Sequence, residues 1–227
     1  MTSEVTSDEP APEEPEKDEK YDERSLERLI FFSDAVTAIA ITLLAIDLPA
    51  PNGSTVSAFW SSFRQHDSAY LAFLVSFVAI ASAWTNHHDA FRDIRRADSR
   101  LRILNMVWLL MIIVVPFATK LLIGNGHDDL AVHALRWGFY ALVQVLTAAT
   151  LFAMVRHMFS HRLLEPGTEE KYRGSADWRS YGPTLGFALS IPVFFVTTYA
   201  WLLWIAVPVM VARLLRRQTP TSRRRPG

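Results

Sequence analysis

Apolar residues gather in six blocks along the chain, and the charged residues fall mainly between these blocks. Each block is close to the ~20 residues that a helix needs to cross the hydrocarbon core of a bilayer. The pattern therefore predicts an all-α polytopic membrane protein with six transmembrane helices. The predicted spans are 28–49, 66–88, 101–123, 131–157, 181–196 and 198–216.

The last two spans form one apolar run, which has no charged residue between Tyr181 and Arg213. A single helix of that length would extend well beyond a hydrocarbon core of ~30 Å. We therefore expect a tight hairpin of two spans, with the turn near Thr197 to Tyr199.

Charge divides the chain into three regions. Residues 1–24 are rich in Glu, Asp, Pro and Ser and have almost no apolar residues to bury, so they are predicted to form a disordered acidic cytoplasmic tail. Residues 25–217 form the membrane domain with its six helices. Residues 218–227 form a basic cytoplasmic tail.

The arginines predict the orientation in the membrane. They concentrate between spans two and three, between spans four and five, and in the C-terminal tail, whereas the other connections hold only Arg64 and Lys120. Because basic residues favour the cytoplasmic side, both termini are predicted to be cytoplasmic. An even number of spans likewise places both termini on one side of the membrane. A multi-pass protein of the cell membrane is expected.

The first span has two distinct sides when it is drawn as a helix with 3.6 residues per turn. Ile39, Leu43 and Ile46 share one stripe, and Thr42 lies beside it. The polar residues Ser33, Asp34 and Thr37 lie on the other side. The stripe could simply pack against lipid or another helix, which is the usual role of branched apolar residues in a membrane.

A carboxylate inside a membrane helix needs hydrogen-bond donors. Span one begins, and span two ends, at the cytoplasmic boundary, so we expect Asp34 to meet Arg28, Trp84 and His88 there. His87 and His88 also raise the possibility of a metal site. Neighbouring residues of a helix point in divergent directions, however, and no metal site is predicted.

Composition excludes several classes of function. Lys and Arg together number 23, as do Asp and Glu, so net charge indicates no nucleic-acid partner. The chain has no cysteine, which excludes thiolate nucleophiles and thiolate metal ligands. It also has no P-loop, G-x-S-x-G, H-E-x-x-H or glycine-rich dinucleotide motif, so an enzyme is not expected. The TVGYG filter of ordinary potassium channels is absent as well.

Two motifs resemble a known family. R-x-x-x-F-S-D at 28–34, followed by A-V-x-A-I-A-I-T-L-L at 35–44, is similar to the first-helix signature of the lysosomal and prokaryotic potassium channels called transmembrane protein 175. W-x-N-H-H-x-x-F at 84–91 resembles the second helix of that family. The resemblance covers all six spans in layout and the first two in motif.

The resemblance implies a homotetramer around a pore that is lined by the first helix of each subunit. By this resemblance Ile39 forms the narrowest ring, Leu43 and Ile46 face the pore, and Thr42 matches a threonine linked to potassium preference. The positions that tie the helices together around the pore are Arg28, Ser33, Asp34, Trp84 and His88. The expected partners are the other copies of the chain in the homotetramer, potassium ions and the lipid bilayer, with no cofactor besides the permeant K⁺.

A rival hypothesis is a proton-coupled secondary transporter that uses Asp34 and His88 as a relay. An inverted repeat and broken helices near the midplane would favour it. The sequence has no convincing repeat, so a channel for potassium and other monovalent cations is the preferred prediction.

Overall fold

The computed structural model describes residues 14–123, 129–165, 167 and 178–193, and the positions 196–197, 199, 202–204, 206–207, 209–210 and 213. Regular structure in these residues is helical, apart from one isolated bridge between Ile94 and Leu164. The helices are α1 (Glu14–Ile46), α2 (Val56–Gln65), α3 (Asp67–Phe91), α4 (Ser99–Leu122), α5 (Leu130–Ser160) and α6 (Trp178–Val193).

Four helices are long and apolar enough to cross a membrane, and they coincide with the first four predicted spans. Within the described residues they are Arg24–Ile46, Asp67–Phe91, Ser99–Leu122 and Leu130–Ser160. Their lengths of 23 to 31 residues exceed the ~20 that a bilayer requires. The all-α class is confirmed with them.

The predicted hairpin at the end of the chain is visible where residues are described. The backbone N–H groups of Val196 and Thr197 both donate to the Val193 carbonyl, at 3.0 Å each, so α6 ends in a turn. A Cβ atom on Gly186 would lie 2.8 Å from the Leu203 carbonyl oxygen, so the returning segment packs directly on α6. The segment that follows α6 is described only in part, and its helical positions include 203–204, 206–207 and 209–210.

The acidic tail differs from its prediction as a disordered segment, because α1 begins at Glu14 and continues through residue 24 without a break. Pro15 lies in the first turn of this helix, where its missing N–H costs nothing. Acidic residues near a helix N-terminus and the spacing of four between Glu16 and Lys20 both favour helix, and composition alone does not reveal them. Residues 1–13 and 218–227 of the two predicted tails lie outside the described residues.

Helix α2 was not predicted. The Thr55 side chain caps it by accepting a hydrogen bond from the Ala58 N–H at 3.2 Å. With ten residues it is too short to cross a bilayer, and a search for long apolar blocks passes over it.

The centre of the helix bundle contains a group of buried hydroxyls that joins α3, α4 and α5. The Ser76 and Thr119 oxygens are 2.7 Å apart, and the Ser76 and Tyr140 oxygens are 3.1 Å apart. All three side chains are buried. Because the bilayer core offers no water, such groups must find partners within the protein, and here they fix three helices to one another.

At the end of the bundle that carries the arginines of 92–102, Asp98 connects α4 to α5. Its carboxylate accepts a hydrogen bond from the Leu101 N–H at 2.7 Å and so caps α4. It also accepts one from Nε2 of His157 on α5 at 2.8 Å.

These contacts determine the charge state of Asp98. Burial raises the pKa of Asp98, but the hydrogen bonds from Leu101 and His157 oppose it. These hydrogen bonds, together with the charges of His157 and His161, hold the pKa of Asp98 below its ordinary value of 3.8. A lowered pKa means that the carboxylate contributes stability above pH 3.8, which is lost as pH falls through the folded-state value.

We predict that Asp98→Ala lowers the free energy of unfolding by about 0.5–2 kcal/mol, the usual effect of losing an N-cap. Asp98→Asn keeps a capping oxygen and removes only the charge, so it should lose less. Denaturant titration of the detergent-solubilised protein, followed by circular dichroism, measures both. The advantage of the wild type over Asp98→Asn should shrink as the pH falls below 3.8 and vanish once the pH is below the folded-state pKa, and an advantage that does not change with pH would contradict the assigned pKa shift.

Candidate pore helix and its supporting network

Helix α1 presents two different faces to its surroundings. Ser33, Thr37, Ala40 and Leu44 are buried against the rest of the chain. The apolar stripe on the other side is open, with exposed fractions of 59% for Ile39, 40% for Leu43 and 75% for Ile46. Thr42 is exposed beside it. The structure thus leaves the stripe free to face something outside the single chain.

Thr42 holds its hydroxyl in one orientation. The hydroxyl donates to the Ile39 carbonyl at 2.8 Å, which uses its only hydrogen. The lone pairs of the Thr42 oxygen therefore remain available on the exposed side of α1, where they can accept a hydrogen bond or approach a cation.

The buried face of α1 is joined to α3 and α4 by a chain of hydrogen bonds. Asn105 on α4 donates from Nδ2 to the Ser33 oxygen at 2.9 Å. The Asn105 Oδ1 lies 2.8 Å from Nε2 of His87 on α3, so with this oxygen as acceptor Nε2 carries the hydrogen. Ser33 itself donates to the Leu29 carbonyl at 2.8 Å. The polar side chains of this group are buried and paired.

Aromatic rings hold His87 in place. Its ring stacks on Phe91 and on Trp108, with ring centroids 4.2 Å apart in both pairs. Trp108 and Phe91 are almost fully buried. The imidazole is therefore fixed in plane by the rings and in direction by Asn105.

The predicted cluster around Asp34 forms only in part. The Trp84 indole N–H donates to Asp34 Oδ1 at 2.8 Å, and His88 contacts Trp84 with ring centroids 5.4 Å apart. Within the described residues of one chain, neither Arg28 nor His88 donates to Asp34. Arg28 lies six residues before Asp34, which is about 9 Å along the helix and on a different side, so the expected pairing is wrong for the single chain.

Asn105 was missed by sequence reasoning, although a signal was present. An amide within the apolar run of α4 has no water to bond in a membrane and must have a protein partner. His87 was considered only as a metal ligand. It is buried while His88 is exposed, and the described residues contain no group of three His, Cys, Asp or Glu side chains suited to a metal ion.

Comparison with known proteins identifies the family. The family model of the endosomal/lysosomal potassium channel TMEM175 matches residues 28–116. A potassium channel of Streptomyces collinus is 32% identical over 171 residues, which are 75% of this chain and 82% of that protein. The chain belongs to the TMEM175 family. The prediction of a membrane ion channel, and not an enzyme, is thereby confirmed.

A solved structure agrees with this family fold. The lysosomal potassium-selective channel TMEM175 homolog from Chamaesiphon minutus superimposes with a TM-score of 0.63 at 25% identity, covering 86% of this chain and all of that one. The endosomal/lysosomal proton channel TMEM175 of the mouse is 32% identical over 121 residues, which are 47% of this chain and 23% of that protein.

We predict that Asn105→Leu destabilises this TMEM175-family chain by about 1–3 kcal/mol, because it leaves the buried Nε2–H of His87 without an acceptor. Adding His87→Phe should recover most of the loss, since a phenyl ring keeps the stack on Phe91 and Trp108 and needs no partner. Thermal unfolding in detergent compares the single and double variants. Asn86→Leu, at an exposed neighbouring position, is the matched control and should have little effect. Equal stability of Asn105→Leu and wild type would contradict the role given to the network.

Proposed function

We propose that the chain forms a homotetrameric channel of the cell membrane that passes potassium and other monovalent cations down their gradients. The observation that carries this proposal is the exposed stripe of Ile39, Leu43 and Ile46 on a helix whose opposite face is hydrogen-bonded to its own chain. Relatives named potassium channels support the choice of ion.

Several copies are needed because one chain supplies one α1. A central pore lined by this helix requires α1 from each subunit around a common axis. The family resemblance favours four subunits, each with six transmembrane helices. In that assembly the exposed stripe faces the axis, and the Asn105–Ser33 bond holds the helix from behind.

The constriction follows from the chemistry of the stripe. A ring of Ile39 side chains presents only methyl groups, so a closed ring excludes water and a slightly wider one passes an ion that has shed part of its hydration. The Thr42 oxygens, about one turn away, offer lone pairs to such an ion. Sodium holds its water more tightly than potassium, which makes the dehydration harder for sodium.

The orientation follows from charge. Exposed arginines at 92, 95 and 96 lie between α3 and α4, and those at 100 and 102 lie in the first turn of α4. Basic residues at such a connection favour the cytoplasmic side. Both termini are then cytoplasmic, and α2 lies on the outer side. Permeation needs no cofactor in this mechanism, only the permeant K⁺.

The transporter hypothesis has weaker support. A relay through Asp34 and His88 requires proton transfer between them, yet Asp34 accepts from Trp84, and the described contact of His88 is with the Trp84 ring. The proton-channel relative of the mouse nevertheless makes protons a second candidate ion.

Purified protein in liposomes distinguishes these functions. The vesicles carry a potassium gradient and contain a pH dye that reports proton movement. A channel gives a potassium flux that follows voltage, does not saturate and needs no counter-ion. Saturating potassium flux tied to opposite proton movement would instead identify a transporter. Acidification of the vesicle interior in the absence of potassium, driven by voltage alone, would identify a proton pathway.

We predict that Ile39→Asn raises conductance and moves the reversal potential towards equal permeability for potassium and sodium. Its amides can replace lost hydration for either ion, whereas methyl groups cannot. Planar-bilayer recording under bi-ionic potassium and sodium conditions measures the reversal potential. Native mass spectrometry should still give the tetramer.

Ile41→Asn is the matched control, because Ile41 is half-buried and packs against the core of its own chain. It should impair folding or leave the reversal potential unchanged. A loss of selectivity in Ile41→Asn with none in Ile39→Asn would mean that the pore lies on the other side of α1.

A further inference from the structure

Helix α2 is unusual because none of its residues is buried, although it is fixed at both ends to membrane-spanning helices. The segment 47–55 joins it to the end of α1, and only His66 separates it from α3. The ends of these spans mark the boundary of the hydrocarbon core, so α2 must lie at that level.

The apolar residues of α2 occupy one face. Val56, Phe59, Trp60 and Phe63 follow the helical spacing i, i+3, i+4, i+7, and all four are exposed. Their aromatic rings meet edge to face, at 6.0 Å between Phe59 and Trp60 and at 5.7 Å between Trp60 and Phe63. The rings thus form a continuous row on the surface.

The other face of α2 is polar and rests on the preceding loop. Ser62 accepts a hydrogen bond from the Asn52 N–H at 3.0 Å. A Cβ atom on Gly53 would lie 2.5 Å from the Phe59 nitrogen, so the loop backbone presses against the first turn of the helix. These contacts hold the helix with its polar side towards the loop and its apolar row outward.

The apolar row continues onto α3. Phe63 stacks on Tyr70 with ring centroids 4.6 Å apart, and the Tyr70 hydroxyl donates to the Pro49 carbonyl at 2.8 Å. Leu74 and Phe77 follow Tyr70 at helical spacings of four and seven, and both are exposed. The aromatic face of α2 is therefore continuous with an exposed apolar stripe of a membrane-crossing helix.

We propose that α2 lies in the lipid–water interface of the bilayer, with Phe59, Trp60 and Phe63 inserted at the boundary of headgroups and acyl chains. A Trp-containing amphipathic helix at the end of a span suits this position, because its rings are apolar and the indole N–H can bond to headgroups or water. Three half-exposed rings and a valine offer less area than the ~800 Å² per partner that a stable protein interface uses, so lipid is the better occupant.

The chain has no cysteine, so single labelling sites can be introduced into the full-length protein. Trp60→Cys places a nitroxide label on the apolar row, and Ser61→Cys places one on the adjacent, polar side. Both variants are reconstituted in phosphatidylcholine vesicles, and power-saturation electron paramagnetic resonance compares collisions with oxygen and with a water-soluble nickel chelate. Lipid-dissolved oxygen should dominate at position 60, and the nickel chelate should dominate at position 61.

Two results would overturn the proposal. Dominant nickel collisions at both positions would mean that α2 projects into water. Low collision rates with both reagents at position 60, together with dipolar broadening between labels, would mean that a second copy of the chain covers the row. Val56→Cys, which removes a smaller side chain from the same face, repeats the measurement in case loss of the indole itself releases the helix.

Discussion

The hydrogen bond between Asn105 of α4 and Ser33 is the buried polar contact that joins α1 to the rest of the bundle. In a bilayer an amide has no water to replace a lost hydrogen bond. The bond to Ser33 and the bond between Asn105 and His87 therefore fix the rotation of α1 about its axis. Once the rotation is fixed, Ile39, Leu43 and Ile46 are left on the open side. The hydrogen bonds on the buried face of α1 thus determine which of its apolar residues remain exposed on the opposite face.

Buried polar contacts also join helices elsewhere in the bundle. Ser76, Thr119 and Tyr140 join three helices through their hydroxyls, while the surfaces of those helices that face outward are apolar. Asp98 performs a similar role at the end of the bundle, where it both caps α4 and binds His157. Specific polar contacts therefore set the geometry between helices, because lipid and side chains are equally apolar and supply little preference for one packing over another.

The sequence was informative where a periodic pattern is long. The first four spans and the separation of Ile39 from Ser33 on α1 follow from hydropathy and from a helix of 3.6 residues per turn. Pairing across helices was harder to predict, since it depends on how two helices are rotated against each other. Trp84 reaches Asp34 as expected, but Arg28 does not, and Asn105 was overlooked because a single amide barely changes the hydropathy of its span. Short or charged helices such as α2 and the start of α1 carry too little apolar signal to be found this way.

The length of α1 has a mechanical consequence. Its 33 residues make a rod of about 50 Å, which is ~20 Å longer than the hydrocarbon core, and no proline or glycine interrupts it after Pro15. An unbroken helix transmits tilt and rotation along its whole length, with no hinge to absorb them. The charged N-terminal part of α1 and Ile39 therefore belong to one rigid helix. A displacement of the charged part moves Ile39 as well, because no flexible joint lies between them.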